Sequence, residues 1–433
     1  MQNNPLATLN ASPMSRFQIL AVAICILLNA LDGFDVLAIS FASPGIAEDW
    51  GISRAKLGII LSMELIGMAV GSIYLGGIAD RFGRRPTIIG CLIAMTAGMF
   101  LAGIAQGMYF LLVVRFLTGL GIGGMLASIN AMVAEYANAK FKNFCVMLMA
   151  AGYPVGVIIG GSIVSMLLVY FDWRSVFIFG GVITGLALVI VYFLLPESIA
   201  YLVEKRPQGA LKKINASLRR MNHKEISHLP ELEKKVATTG IRRVLQPDLL
   251  RVTIMLTVCY FFYIMAFYFF IKWIPKLVVD MSYAASTAGG VLVWANVGGA
   301  LGAVVIGLMT AKFKLKNLII AVMIFAGLML CVFGAGQSDL FWLSLVAACT
   351  GFFINAGIVG LYALFTDYFP PAVRASGTGF VIGVGRGGAA FGPIVAGFLF
   401  TAGFNLLQVA IVMAISTFLA AITLFLTRNS QSG

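Results

Sequence analysis

The sequence predicts an all-α polytopic membrane protein: twelve transmembrane helices arranged as two pseudo-symmetric bundles of six. Three observations carry that expectation: composition, the spacing of apolar stretches, and an internal repeat. Of 433 residues, 60% are hydrophobic and only 11% charged, and mean hydropathy is +0.98. A soluble globular chain carries about 25% charged residues, so this one could not cover its surface in water. The same composition excludes disorder, coiled coil, collagen and a disulfide scaffold.

A helix needs about 20 mainly apolar residues to cross a bilayer. In chain order the stretches that meet this length are 17–45, 57–79, 87–105, 109–134, 144–169, 174–195, 251–275, 284–310, 317–336, 340–365, 376–400 and 404–427. The first is too long for a cleaved signal and has no small-residue cleavage site after it, which reads as a retained helix. Most connections are short. The exception, 197–249, holds both histidines (His223, His228) and a dense run of charge. The expected organisation is therefore an N-terminal segment 1–16, a six-helix bundle 17–196, a central loop 197–249, a second bundle 250–427 and a tail 428–433. The loop reads first as a solvated connector, with regulation or contact with acidic lipid as the other use. Cys25, Cys91, Cys145, Cys259, Cys331 and Cys349 all lie in apolar stretches without paired spacing, so they read as small buried hydrophobes and not as disulfides or metal ligands.

The net charge of +13 is explained by topology. With the N-terminus cytoplasmic, that side receives Arg16, Arg81, Arg84, Arg85, Lys140, Lys142, the basic residues of 205–251, Lys312, Lys314, Lys316, Arg374 and Arg428. The other side receives Arg54, Lys56, Arg174 and Lys276 alone. Positive residues favour the cytoplasmic side, so both termini and the central loop are expected there, and no nucleic-acid partner is needed to account for the charge.

The repeat appears at an offset of 231 residues. Gly76–Arg85 reads GGIADRFGRR and Gly307–Lys316 reads GLMTAKFKLK, each at the loop end of the second span of its half. Glu135-Tyr136 after span four echoes Asp367-Tyr368 after span ten, and Gly152–Gly156 (GYPVG) in span five echoes Phe391–Gly397 (FGPIVAG) in span eleven. Two such halves related by an axis along the membrane normal place a binding site at their interface near mid-depth.

These segments also carry a resemblance. Gly76, Asp80, Arg81, Gly83, Arg84 and Arg85 form a pattern similar to the loop signature of the major facilitator superfamily. Arg115 with Gly119, Gly121, Gly123 and Gly124 resembles its helix-four motif, glycine-rich span five with Pro154 its helix-five motif, and Pro196-Glu197-Ser198 the signature closing the first half. The likeness covers about residues 17–427. Physically, Gly76 lets two backbones approach closely, while Asp80 can satisfy N–H groups at a helix start or pair with a neighbouring arginine. Such pairs could latch one state of a moving carrier; the alternative is that Arg84 and Arg85 only set topology. The second copy has Ala311 in place of Asp80, so any latch is asymmetric.

An ionisable side chain inside a span costs about 2.5–3.5 kcal/mol on insertion scales and is a functional candidate by default. Here these are Asp32, Asp35, Glu64, Arg115, Lys272 and Arg386. Spacing of three puts Asp32 and Asp35 on one helix face. Two close carboxylates away from water hold one proton between them, because mutual repulsion and poor hydration both oppose full ionisation. That is equipment for carrying a proton; the alternative is a structural pair neutralised by a neighbouring arginine. The quartet Asp32-Gly33-Phe34-Asp35 resembles the first-helix signature of the aromatic acid:proton symporters, a branch of the superfamily that takes benzoate- and hydroxybenzoate-like acids into bacteria. The resemblance implies that both aspartates are needed for transport. It also implies that span four faces span one, so that Arg115 can face Asp32 and Asp35.

A guanidinium grips a carboxylate through two parallel hydrogen bonds and stays charged. Arg115 and Arg386 are therefore candidate anchors for an acid, with a permanent counter-ion to the aspartates as the rival role for Arg115. Tyr260, Tyr263, Phe267 and Tyr268 make a helical aromatic stripe that could stack on a flat ring or simply pack. Asn355 could bond a ring hydroxyl. Glu135 and Asp367, at helix ends, are expected to pair with loop arginines. Lys272 either runs out to the headgroups or adds a cation for a second carboxylate, and Glu64 stands where the branch would have a small or apolar residue.

The expected function is proton-coupled uptake of an aromatic or aromatic-derived carboxylic acid by alternating access across the bacterial cytoplasmic membrane. The chain is expected to act as a monomer, with the proton as coupling ion and no other cofactor or metal. A carrier of another substrate class (a dicarboxylate such as muconate, another organic acid, a sugar), an acid exporter and a transporter-like sensor remain the alternatives. An intramembrane enzyme is not expected: neither H-E-x-x-H nor G-x-S-x-G occurs and no histidine lies in a span.

Overall fold

Backbone N–H and C=O groups have no water to bond inside a bilayer, so a spanning segment must satisfy them within itself as a helix. The computed structural model, which describes residues 5–230, 241–310, 312–337, 339–370 and 373–427, is built accordingly. In chain order the helices are α1 Pro5–Ala11, α2 Arg16–Trp50, α3 Arg54–Phe82, α4 Arg84–Gly103, α5 Met108–Tyr136, α6 Lys142–Tyr170, α7 Arg174–Leu194, α8 Ile199–Lys205, α9 Ala210–Arg220, α10 Ile241–Val244, α11 Pro247–Asp280, α12 Ala285–Met309, α13 Leu315–Gly334, α14 Leu340–Tyr368, α15 Arg374–Gly385, α16 Gly387–Thr401 and α17 Leu406–Leu426. Among the described residues, twelve helical stretches are long and apolar enough to span a membrane. Ala311 and the tail 428–433 lie outside the described residues.

Several helices outrun the apolar stretches that announce them. Hydropathy ends the first span at 45, but α2 continues through Pro44 to Trp50, and α11 continues through Pro275 to Asp280. Hydropathy marks only the slab of oil; the hydrogen-bond ladder stops where a turn intervenes. At Trp50 that turn is Gly51, with φ +57°, a left-handed backbone that favours glycine.

The internal repeat reappears as packing. A Cβ on Gly67 or Gly71 of α3 would collide with the carbonyl of Phe116 or Leu120 on α5. Their counterparts at the same offset, Gly298 and Gly302 of α12, stand against the carbonyls of Ala348 and Phe352 on α14. Small residues at these positions let two helices touch backbone to backbone, which is how spanning helices associate where lipid offers no hydrophobic driving force.

The chain divides into two compact units that cut across the division at the central loop. Unit 1 is Met1–Val36, Gly67–Gly156 and Phe177–Lys235; unit 2 is Leu37–Ile66, Val157–Val176 and Val236–Gly433. The last part of α2, the first part of α3 and the second part of α6 therefore pack with the helices of the second half.

The central loop is more than a solvated connector. In unit 1, α8 buries Ile199, Leu202 and Val203, and α9 buries Ala210, Ile214, Ser217 and Leu218 while presenting Lys212, Lys213, Arg219 and Arg220 outward. Ser198 caps α8 by accepting from the Tyr201 N–H at 2.9 Å. Of the rest of this loop, 231–240 lies outside the described residues.

Candidate substrate and proton site

In unit 1 the acidic quartet of α2 is held by α6. A Cβ on Gly33 would strike the Tyr153 carbonyl, and one on Gly156 would strike that of Ala30. One turn away, Asn29 Nδ2 donates to the Met149 carbonyl at 2.7 Å. Gly33 thus lets α2 lie directly on α6 and fixes where Asp32 and Asp35 point. Asp32 is 2% exposed and Asp35 is fully enclosed. From α5, the guanidinium of Arg115, also fully enclosed, donates through Nη2 to the Asp35 carbonyl at 3.0 Å. It contacts Met99 Sδ at 3.6 Å and lies 5.5 Å from the Phe177 ring centroid. Thr184 Oγ1 of α7 lies 3.5 Å from Asp35 Oδ2. Two carboxylates and one guanidinium are therefore enclosed together, where a lone charge costs several kcal/mol and is met by an opposite charge or by a proton. As the molecule stands, Arg115 offers no accessible surface to a ligand and serves Asp35.

The loop signature forms a second cluster in unit 1. Gly83 joins α3 to α4 at φ +110°, and a Cβ there would also collide with Glu197 Oε2. Glu197 Oε1 accepts from the N–H groups of Arg84 and Arg85, at 2.9 and 3.2 Å, capping the start of α4. Arg84 pairs with Asp80 at 2.6 Å and lies 3.7 Å from Glu135, whose carboxylate also takes the Ser198 hydroxyl. Arg85 donates to the Tyr192 carbonyl at 2.6 Å, and the Arg81 carbonyl accepts from Tyr201 Oη at 3.2 Å. Gly76 lies two turns earlier in α3. Sequence reasoning does not single out Glu197 as a functional residue, although Pro196-Glu197-Ser198 is visible as a signature; the signal is present, and its role as a helix cap is not.

Unit 2 holds the other candidates. Arg386, partly buried, occupies the joint between α15 and α16, where Gly385 packs on the Tyr260 ring and Gly388 on the Phe261 carbonyl. The aromatic stripe is largely committed to packing: Tyr260 and Tyr263 are fully buried, with hydroxyls 3.0 Å from Tyr362 Oη and 3.1 Å from the Phe353 carbonyl. Phe267, partly buried, meets Tyr268 edge-on at 5.1 Å between centroids. Asn355 lies half-buried against Gly299.

Lys272 does not run out to a headgroup region. It is fully buried in α11, and its Nζ lies 3.5 Å from Oε2 of Glu64, itself fully buried in α3. The two charges that look out of place in the sequence are partners. Around them, Ser62 Oγ donates to the Ala390 carbonyl at 2.7 Å and Trp273 Nε1 to the Pro393 carbonyl at 3.2 Å. At the helix ends, Arg54 pairs with Asp280 at 2.8 Å, and the Ala55 N–H bonds Thr401 Oγ1 at 2.9 Å.

Twelve spanning helices with a pseudo-repeat and ionisable side chains locked inside them make up a membrane carrier. The chain belongs to the Major Facilitator Superfamily, whose family model matches residues 25–295 and 256–433. It is 30% identical to the 4-hydroxybenzoate transporter PcaK of Acinetobacter baylyi over 97% of this chain and 93% of that one. It is 27% identical to a gallate transporter of Pseudomonas putida, over 97% and 94%. A crystal structure of a D-xylose-proton symporter shares the fold at a TM-score of 0.72 and 16% identity, covering 96% of this chain and 99% of that chain. The chain is a multi-pass membrane transporter and not an enzyme.

Proposed function

We propose that this transporter takes up an aromatic or aromatic-derived carboxylic acid together with protons, across a bacterial cytoplasmic membrane, with both termini in the cytoplasm. The observation that carries the reading is the enclosure of Asp32, Asp35 and Arg115 together in unit 1. The names of relatives that transport 4-hydroxybenzoate and gallate support the substrate class.

The energetics favour coupling. Moving a monoanion into a negative cell costs about 2.3 kcal/mol per 100 mV. One co-transported proton cancels that cost and adds the pH gradient; a second makes uptake electrogenic. In the proposed cycle Asp32 or Asp35 takes a proton from outside, with Arg115 holding the remaining negative charge. The acid's carboxylate is held by Arg386 in unit 2, with Phe267 of α11 against its ring and Asn355 meeting a ring hydroxyl, all three being partly exposed. The two halves then rock about the site. Gly76, Asp80, Arg81, Gly83, Arg84, Arg85 and Glu135 latch the loop end during one phase of the cycle. The protein works as a monomer, and the proton is the coupling ion.

The test is uptake into proteoliposomes with an imposed pH gradient, offering benzoate, 4-hydroxybenzoate, vanillate, muconate, shikimate and glucose. Gradient-dependent accumulation of one or more of the aromatic acids is expected. Accumulation that survives collapse of both pH gradient and voltage, or uptake of glucose alone, would overturn the reading.

A further inference from the structure

The buried pair between Glu64 and Lys272 joins helices from opposite halves of the sequence, and the neighbouring contacts do the same. Within unit 2, the first turns of α3 lie on the last turns of α11 and along the length of α16. Arg54 meets Asp280, Ala55 meets Thr401, Ser62 meets Ala390, and a Cβ on Gly58 would press on the Pro393 carbonyl. Alternating access requires one end of the carrier to part while the other shuts. This seam is therefore the closed gate of one end, and opening that end must separate α3 from α11 and α16.

The seam holds two ion pairs of different character. Arg54 and Asp280 are 41% and 22% exposed, whereas Lys272 and Glu64 are both at 0%. Exposed pairs contribute little to stability, so Arg54–Asp280 weighs less on the gate than the enclosed pair. The buried pair behaves differently. Leu61, Leu65, Ile271 and Trp273, its neighbours along the two helices, are all buried, so both charges are removed from water when the gate is shut and regain hydration when it opens. Two matched apolar side chains there would gain from closure and lose on opening. A buried ion pair is often no more stable than its hydrophobic replacement, yet removing one partner is strongly unfavourable.

We propose that Glu64 and Lys272 are a gate-balancing pair: together they permit closure, and their recovered hydration keeps the closed gate from becoming a trap. This inference rests on the alternating-access reading above and not on the identity of the cargo. It requires single and double replacements to shift the gate in opposite directions, which a merely structural pair would not do. Glu64→Gln removes the negative charge 3.5 Å from the buried Lys272 ammonium, makes closure more costly and drives the gate open. Glu64→Leu combined with Lys272→Met removes both charges and holds it shut.

The test uses full-length protein in lipid nanodiscs, with spin labels on Lys56→Cys and Ala284→Cys, both exposed positions at this end, and with Cys331 and Cys349 replaced by serine. The label-to-label distance distribution gives the closed-to-open ratio. Glu64→Gln should lower that ratio ten-fold or more, and the double variant should raise it by a similar factor and slow turnover. The charge swap Glu64→Lys with Lys272→Glu should return it toward the parent value, and it carries the test if Glu64→Gln does not fold. An unchanged ratio in Glu64→Gln, a double variant that shifts in the same direction as the single one, or a folded swap that stays shifted would overturn the proposal. Because the readout is a distance, it stands or falls separately from which acid is carried: a failed uptake panel with the predicted gate shifts would remove the substrate assignment alone.

Discussion

Replacing Gly33 by alanine adds one methyl group at the point where α2 lies on α6. That methyl would collide with the Tyr153 carbonyl oxygen, and the carbonyl carbon and Cα behind it are also too close. No flexible side chain can yield, so the two helix backbones must move apart. Overpacking of this kind costs about 1–3 kcal/mol, and the displacement carries Asp32 and Asp35 away from Arg115, whose bond to the Asp35 carbonyl spans only 3.0 Å. Alanine also gains about 0.8–1.0 kcal/mol over glycine in helix propensity, which offsets part of that cost. A control separates the two effects: a methyl on Gly90 of α4 would meet nothing within 4 Å, so Gly90→Ala should be neutral or slightly stabilising. Thermal unfolding of purified protein followed by size exclusion, together with gradient-driven uptake, reads both consequences. Gly33→Ala should melt earlier and transport more slowly, while Gly90→Ala should do neither. If Gly33→Ala matches the parent in both assays, the close approach of α2 and α6 does not position the acidic pair.

Asp32→Asn and Asp35→Asn should each abolish accumulation driven by a pH gradient while leaving the folded protein intact by size exclusion; parental accumulation by both variants would remove the coupling assignment. Arg386→Lys exchanges a planar fork for a point charge, and losing one charge-assisted bond, at about 1.5–3 kcal/mol, should raise the KM for the acid by about ten-fold or more; an unchanged KM would take Arg386 off the site. Ser198→Ala removes the cap that accepts from the Tyr201 N–H and should cost about 0.5–2 kcal/mol, seen as a lower melting temperature with the KM for the acid retained.

Much of the architecture is legible because it follows from solvent. Apolar runs of bilayer length locate the spans, and a fixed offset links Gly76–Arg85 to Gly307–Lys316. The same offset recurs at Gly67, Gly71, Gly298 and Gly302, where it marks the close-packed pairs of both halves. The helix ends at Trp50 and Asp280 are hidden because hydropathy falls before the hydrogen-bond ladder does. The buried face of α9 is masked by the charge on its outer face, although Ala210, Ile214, Ser217 and Leu218 recur at helical spacing. Within the site, the proximity of Arg115 to Asp35 could be expected from the resemblance, whereas the partnership of Glu64 with Lys272 could not. Rarity of charge flags both residues, but pairing between distant spans leaves no trace in local spacing. Enclosure of Tyr260 and Tyr263 by their own neighbours is equally invisible, since a stripe of rings looks the same whether it faces cargo or core.

The glycine seams between α3 and α5 and between α12 and α14 have a mechanical consequence. Each welded couple behaves as a single stiff beam, because sliding one member along the other would bring a residue with a side chain to a carbonyl that only glycine accommodates. Reporter dyes or cross-links placed across either weld would register stillness throughout the working stroke. Whatever bends in this machine bends elsewhere.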